Sequence, residues 1–492
     1  MEIAELLVRD RDSLDAALKV IEDNGLGLAF AVDEAGRMTG RIGAGEIAAR
    51  LAAGGSLREP VANAMAHSAI ASTNRAADPT HERAGEIVPV IDDRGRPVNY
   101  VSPGFPKKIH VAEPSLSGNE LKYVSACVTT NWISSQGEFV RRFETEYAAH
   151  LGAPHAIACS NGTAALHLAL LALGIGAGDE VILPDLTFAA TINTVIHAGA
   201  TPVIVDVDKT SWNIDPAAIE AALTPRTRAI MPVHLYGQPA DMDPVLAIAK
   251  RRGLVVVEDA AEAIGSAYKG RPCGTMGDAG AFSFFSNKLI TTGEGGMLVL
   301  RDGEADKRAR RLRDHGMDPG KRYWQLDVGY NYRLTNLQAA IGCAQLEQID
   351  RFLARKLAIA GRYRERLRHI PGMTLPAVIA GAANSFWAYS IIPDMARLGI
   401  SRDDFMARLG RAGIETRPLF YPLHEMPPYR DFAGNRTFPN TAWLSENGLS
   451  LPSAVTLSDA QIDYICGVIE RLHVVRDLAR TAARAQSRVP SV

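Results

Sequence analysis

Leu254-Val-Val-Val-Glu-Asp-Ala-Ala-Glu262 opens with four apolar residues, three of them β-branched, and reaches an acidic pair. A run of that length and composition predicts a strand buried on both faces. Residues 181–183, 203–205 and 229–233 repeat the pattern upstream, and helical stretches at 191–197, 216–223 and 244–251 separate the runs. Short strands alternating with helices predict an α/β fold, a mostly parallel sheet with helices on both faces. Residues 280–285 and 296–300 add strands, and 161–173 adds a helix capped by Ser160 or Asn161. From about residue 355 helices dominate, with residues 388–392 as one strand, which predicts a smaller C-terminal α+β domain.

The first hundred residues follow another logic. Phe30-Ala-Val-Asp-Glu-Ala-Gly-Arg37 and Pro89-Val-Ile-Asp-Asp-Arg-Gly-Arg96 are an internal repeat of strand, turn and strand, with a helical stretch at 12–23 before the first copy. This pattern resembles a cystathionine-β-synthase-type (CBS) domain pair over residues 1–101. In that family a hydroxyl residue followed by Asp before a helix often holds an adenine nucleotide. Here the place reads Ile42-Gly-Ala-Gly-Glu46, without a hydroxyl and with Glu for Asp, so the expectation is a structural or dimerising appendage. Ser102-Pro-Gly-Phe-Pro-Lys-Lys108 reads as a linker. The expected units are therefore 1–101, a linker at 102–108, a large domain at 109–354 and a small one at 355–492.

The chemistry concentrates in three places. Lys288 follows an apolar, aromatic run in Phe282-Ser-Phe-Phe-Ser-Asn-Lys-Leu-Ile-Thr-Thr-Gly-Glu-Gly-Gly296. Desolvation beside packed rings lowers an amine's pKa and frees it to condense with an aldehyde. Most lysines are solvated surface groups, but few of those follow such a run. Asp259 ends its strand on the side where parallel sheets form their ligand crevice, and there it suits a cationic ring nitrogen or a helix N-cap. Cys159-Ser-Asn-Gly-Thr-Ala-Ala-Leu166 opens a helix whose N-terminal N–H groups suit a phosphate, and Ser283 adds a hydroxyl. An imine-forming lysine, a ring-nitrogen carboxylate and a helix-end anion site together describe pyridoxal 5'-phosphate (PLP).

Residues 109 to about 470 resemble the DegT/DnrJ family of sugar-nucleotide aminotransferases, which have the fold-type-I aminotransferase architecture. The resemblance rests on Glu113-Pro-Ser-Leu-Ser-Gly-Asn-Glu120, Asn161-Gly-Thr-Ala-Ala-Leu-His167, Glu258-Asp-Ala-Ala-Glu-Ala263, Asn287-Lys-Leu-Ile-Thr-Thr-Gly-Glu-Gly-Gly296 and Gly329-Tyr-Asn-Tyr-Arg-Leu-Thr-Asn336. It implies that Lys288 bonds the cofactor aldehyde and moves protons, that Asp259 pairs with the ring nitrogen, and that Glu262 lies near the phenolic oxygen. It further implies that Phe188 stacks on the ring and that Gly162, Thr163, Ala164 and Ser283 hold the phosphate. Asn331 is implied to reach the phosphate in a neighbouring copy, making the active site shared in a homodimer. The implied reaction moves the amine of L-glutamate to a nucleotide-diphosphate 4-keto-6-deoxy sugar at C4. A UDP- or dTDP-linked sugar, or amination at C3, stands as the alternative. Relatives that dehydrate sugars carry histidine at the lysine position, so Lys288 favours transamination. Two aromatic loops are candidates for substrate contact, Tyr323-Trp324 with Tyr330, and Arg417 through His424.

The remaining composition narrows the class. Lys+Arg 53 against Asp+Glu 55 gives a net charge of −2 over 492 residues, which supplies no basic footprint for nucleic acid or anionic membrane. No apolar run is long enough to span a bilayer, and the N-terminus lacks a secretory pattern. Five scattered cysteines form no CxxC pair or disulfide framework, so a reducing cytoplasm is expected, with no metal site. A PLP-binding regulatory protein with a nucleotide-sensing N-terminus is the reading from another class. The combination of Asp259, Glu262 and Lys288 argues for an enzyme, because mere binding has no need of a free imine-forming amine.

Overall fold

The computed structural model describes residues 2–24, 26–67, 87–101 and 108–486. Most of the expected linker, residues 102–107, lies outside them. The N-terminal unit runs β1 (Leu7–Arg9), α1 (Leu14–Asn24), β2 (Leu28–Val32), β3 (Met38–Gly43) and α2 (Ala44–Ala52). Its sheet has the order β1-β2-β3, with β1 parallel and β3 antiparallel to β2. The second copy of the repeat is the antiparallel pair β4 (Val88–Ile91) and β5 (Pro97–Val101). In both copies an Asp accepts from an Arg four residues on, Asp33 from Arg37 and Asp92 from Arg96, which closes the turn.

The large domain begins with α3 (Glu120–Thr129) and α4 (Glu138–Leu151) and continues with β6 (His155–Cys159), α5 (Gly162–Ala172), β7 (Glu180–Pro184), α6 (Ala190–His197) and β8 (Thr201–Val205). Then come α7 (Pro216–Ala222), β9 (Thr227–Ile230), α8 (Met242–Arg252) and β10 (Val255–Asp259). Two-residue strands β11 (Ala267–Tyr268) and β12 (Arg271–Pro272) precede β13 (Ala279–Ser283) and β14 (Gly296–Leu300). Seven strands form one sheet in the order β6-β14-β13-β10-β9-β7-β8. The predicted parallel pairing holds except at β14, which is antiparallel to both neighbours. The connection from β13, residues 284–295, contains no helix, and a parallel return usually crosses over through one.

Side chains alternate between two cores. Val181, Leu183, Val257 and Leu298 pack on one face, and Ile182, Val256, Met297 and Val299 on the other. That period of two, apolar on both sides, is the mark of a fully covered sheet. α5 is buried around nearly its whole circumference, which its Gly162-Thr-Ala-Ala-Leu-His-Leu-Ala-Leu-Leu-Ala172 sequence allows. The Arg-rich stretch 308–313 lies on α9 (Gly303–Arg313) and is not simply a solvated face. Ala309 and Leu312 are buried, and Arg310 and Arg313 both hold Glu144.

After α10 (Asn336–Leu346), helix α11 (Ile349–Leu367) carries the chain into the small domain, so position 355 falls inside a continuous helix. There follow β15 (Ala382–Ala383), β16 (Tyr389–Ile391), α12 (Met395–Leu398), α13 (Arg402–Arg411), β17 (Arg417–Pro418), α14 (Pro439–Asn447), β18 (Leu449–Leu451) and α15 (Asp459–Gln486). The small antiparallel sheet has the order β16-β18-β17. The N-terminal unit docks on this domain. Leu6, Leu26, Phe30 and Ile87 share one core with Ile359, Tyr363, Ile465 and Ile469. Gly27, in the left-handed region, lies under the Arg471 side chain, where a Cβ would come within 2.3 Å of it. Among the described residues no helix is long and apolar enough to cross a membrane.

Candidate active site

A cavity of about 740 Å³ opens where the parallel strands end, with the small domain as its far wall. Asp259, Glu262 and Lys288 from the large domain face Trp387 and Arg417 from the small one. Strand geometry places Asp259 there. Successive residues of a strand point to opposite faces, and the acidic pair splits accordingly. Glu258 turns away, accepts from the N–H groups of Gly274, Met276 and Gly277, and bonds His234 Nε2 at 2.9 Å. His234 is thereby a buried structural group, and its Nδ1 accepts from the Ala240 N–H. Asp259 faces the cavity. Its Oδ2 accepts from Thr191 Oγ1 at 2.8 Å and its Oδ1 from the Ala261 N–H at 3.2 Å. Burial pushes its pKa up, and these donors with the Lys288 charge pull against that.

Lys288 sits in the connection between β13 and β14, which is cross-tied by Phe284 N–H to Gly295 O at 2.8 Å and Thr292 N–H to Phe284 O at 2.9 Å. Its side chain is 11% exposed, and its Nζ lies 3.7 Å from Glu262 Oε1 and 3.9 Å from the Trp387 ring centroid. Burial lowers the Lys288 pKa, opposed by Glu262 and Asp259. Burial also lifts Glu262, to about 7, against the pull of Lys288. The other Glu262 oxygen accepts from the Tyr236 N–H at 2.9 Å. Tyr236 reaches this pose with φ at 54°, a left-handed conformation unusual for a non-glycine residue. Its hydroxyl accepts from the Phe420 N–H, which ties the large domain to the small one.

The N-terminus of α5 opens on the same cavity. Asn161 caps α5, its Oδ1 accepting from the Ala164 N–H at 2.8 Å. Gly162, Thr163, Ala164 and Ser283 line the same cavity, as does Phe188, whose side chain is large, apolar and 60% exposed. At Gly296 a Cβ would come within 2.4 Å of the Asn161 carbonyl, so β14 can pass under the helix only with glycine there. The residues fit PLP. They offer a desolvated amine, a carboxylate buried at a strand end, a bare aromatic face and a helix N-terminus beside a hydroxyl.

Several predicted contacts lie elsewhere in the single chain. Of the loop candidates, Arg417, with Pro418 and Phe420 of the same loop, lines the cavity, and Tyr323, Trp324, Tyr330 and His424 do not. Tyr323 and Trp324 are 72% and 52% exposed, covered in part by Arg322 and Lys321. Tyr330 stacks on Tyr332 at 4.8 Å. Asn331 is exposed, and its backbone bridges to Asp314. His424 is turned to Asp185 Oδ2 at 2.7 Å and stacks on Phe438, so it braces the Asp185–Phe188 turn instead of facing the cavity. Sequence reasoning missed Thr191, Tyr236 and Trp387. A buried threonine carries no local signal, and the other two reach the site through tertiary packing.

The model of the DegT/DnrJ/EryC1/StrS aminotransferase family matches residues 114–470. The chain belongs to this family. The match begins beyond the N-terminal unit. A GDP-perosamine synthase from Caulobacter vibrioides is 49% identical over 372 residues, covering 75% of this chain and 99% of the relative. One from Escherichia coli O157:H7 is 44% identical over 367 residues, with the same coverage. Among solved structures, the aminotransferase TlmJ from Streptoalloteichus hindustanus superposes with a TM-score of 0.70 at 32% identity, covering 76% of this chain and all of that one. The PLP form of the sugar aminotransferase Spr1654 from Streptococcus pneumoniae gives 0.70 at 28%, covering 75% and 99%. As a DegT-family member this chain is a PLP-dependent aminotransferase of the α/β type.

Proposed function

We propose that this aminotransferase moves the amino group of L-glutamate to C4 of a GDP-linked 4-keto-6-deoxy sugar. The observation that carries the reading is the convergence of Lys288, Asp259 and Glu262 on one cavity, in a chain 49% identical to a GDP-perosamine synthase over 99% of that protein. Asp259 is the anion that holds the proton of the cofactor's ring nitrogen. Glu262 would serve the phenolic oxygen, Phe188 would stack on the ring, and Gly162, Thr163, Ala164 and Ser283 would hold the phosphate. Bound PLP supplies an electrophilic carbon and a ring that takes up the electron pair left when an α-proton departs. Lys288 Nζ, once free, takes the α-proton of glutamate and returns a proton in the second half-reaction. Taking the proton requires the neutral amine, which burial favours, and giving it back requires the ammonium that the uptake produces. The products balance as 2-oxoglutarate and the amino sugar. Arg417, half-exposed at the rim, suits the sugar's diphosphate.

The functional unit is a homodimer in this reading, with Asn331 reaching the phosphate in the other copy. The exposed apolar side chains of Tyr323, Trp324, Leu326 and Val328 precede it, and Leu121 and Trp132 are exposed on and just after α3. Exposed apolar side chains in this number support burial against a second copy. The five cysteines are unpaired and buried, which suits a reducing cytoplasm. We regard residues 1–101 as an accessory unit docked on the small domain.

The test is a panel of purified GDP-, UDP- and dTDP-4-keto sugars with the loaded chain and L-glutamate, following 2-oxoglutarate and the amino sugar by mass spectrometry. Turnover in the GDP arm with a C4 amine in the product supports the reading. Turnover confined to another base, or a C3 amine, replaces it. A cofactor absorption band inert to every amino donor would point to a binding protein.

A further inference from the structure

Lys356 is a lysine with no place in the reaction, yet it is buried, at 5% exposure, on the inner side of α11. Its Nζ donates to the Trp387 carbonyl at 2.7 Å, the Ser453 carbonyl at 2.6 Å and Ser453 Oγ at 3.0 Å. Among the described residues no carboxylate pairs with it. Three acceptors match the three N–H bonds of an ammonium, and a neutral amine would leave one unserved. Burial draws its pKa down to about 7, while the three acceptors favour the charged form. An apolar side chain would fill the same space without desolvating a charge. What the ammonium adds is a fixed distance between the two segments that carry Trp387 and Ser453, both on the cavity wall. The far end of Trp387 is tied as well, because its indole N–H donates to the carbonyl of Asn287, the neighbour of Lys288.

We infer that Lys356 is a positioning residue that clamps the Trp387 indole over the Lys288 amine and keeps water from it. The inference rests on Lys288 being the reactive amine. The groups facing Lys288 Nζ are Glu262 and Asp259 from the large domain and the Trp387 ring from the small one. The two carboxylates raise its pKa and burial lowers it, with burial the larger effect. Releasing the indole admits water and moves the pKa of Lys288 upward.

The test is competitive labelling with trace acetic anhydride across a pH series. It is done on the full-length chain freed of cofactor, and the Lys288 peptide is read by mass spectrometry. Circular dichroism checks that each variant is folded. In Lys356→Met the midpoint for Lys288 is expected to rise by about one pH unit, a tenfold smaller amine fraction at any pH below both midpoints. Trp387→Phe should shift it in the same direction, and the double variant should go no further than the larger single shift. Ser453→Ala removes one of the three acceptors and should give a smaller rise, which keeps the test open if Lys356→Met does not fold. A folded Lys356→Met with an unmoved midpoint, or an unmoved Ser453→Ala, overturns the clamp, as do shifts that add in the double variant. An ordinary midpoint near 10.4 in the unaltered chain would instead overturn the role of Lys288 itself.

Discussion

Thr191 Oγ1 donates to Asp259 Oδ2 at 2.8 Å, and Thr187 Oγ1 lies 2.8 Å behind it. An ionised carboxylate only accepts, so the order of donors is fixed: Thr187 donates to Thr191, and Thr191 to Asp259. The relay favours the charged form of Asp259 and so opposes the rise in pKa that burial causes. Thr191→Val keeps the shape and removes the donor. Losing a hydrogen bond to a buried charge costs roughly 1.5–3 kcal/mol. The dissociation constant for PLP is expected to rise at least tenfold in an absorbance titration. An unchanged constant would mean that Asp259 needs no such support.

Lys288→Ala is expected to abolish turnover, below about one part in a thousand, because among the described residues no other lysine lines the cavity. Its circular dichroism should match the parent, since the β13–β14 connection is cross-tied by backbone groups and Thr291. Borohydride reduction of the loaded parent should leave a covalent tag on the peptide containing Lys288. A tag on another lysine would move the assignment.

Glu262 gives a pH signature. Its folded-state pKa is raised from 4.5 to about 7 by burial. The native state therefore binds more protons than the unfolded chain between those values, and stability falls as pH rises through that window. Glu262→Gln removes the titration. In urea unfolding of the cofactor-free chain, the drop in stability between pH 5 and 7.5 should be about 2 kcal/mol smaller in the variant. Equal slopes would show that Lys288 already holds the carboxylate charged.

Deleting residues 1–104 leaves the cavity wall complete, because every lining residue lies at position 111 or beyond. It also uncovers Ile465 and Ile469 on α15, which share a core with Leu6 and Phe30. Turnover within about threefold of the full chain is expected, together with a melting temperature lower by about 2–4 °C for each kcal/mol lost. A folded but inactive truncation would reveal coupling through the small domain.

The parts of this molecule readable from sequence are those with local causes. Apolar runs of three and four residues mark β7 and β10, the Asn161-Gly162 step marks the start of α5, and the aromatic run marks the setting of Lys288. The second wall of the site was out of reach. Trp387 lies 99 positions after Lys288, and its place depends on Lys356 and Asn287, neither of which stands near it in the chain. Tyr236 depends on a left-handed backbone that its sequence does not announce. His424 looked like a ligand contact because its loop is rich in aromatics and proline, but a buried carboxylate, Asp185, claims its ring. The direction of β14 went with a connection that holds no crossover helix and is announced by no residue in the strand itself.

The opposed carboxylates on β10 tie chemistry to counting. Inserting or losing one residue ahead of them would exchange their sides, presenting Glu258 to the cofactor and turning Asp259 toward the Gly274–Gly277 backbone. Substitution can be tolerated along this strand wherever the replacement is apolar and similar in size. A single-residue frame slip would disarm the enzyme while leaving its composition almost untouched.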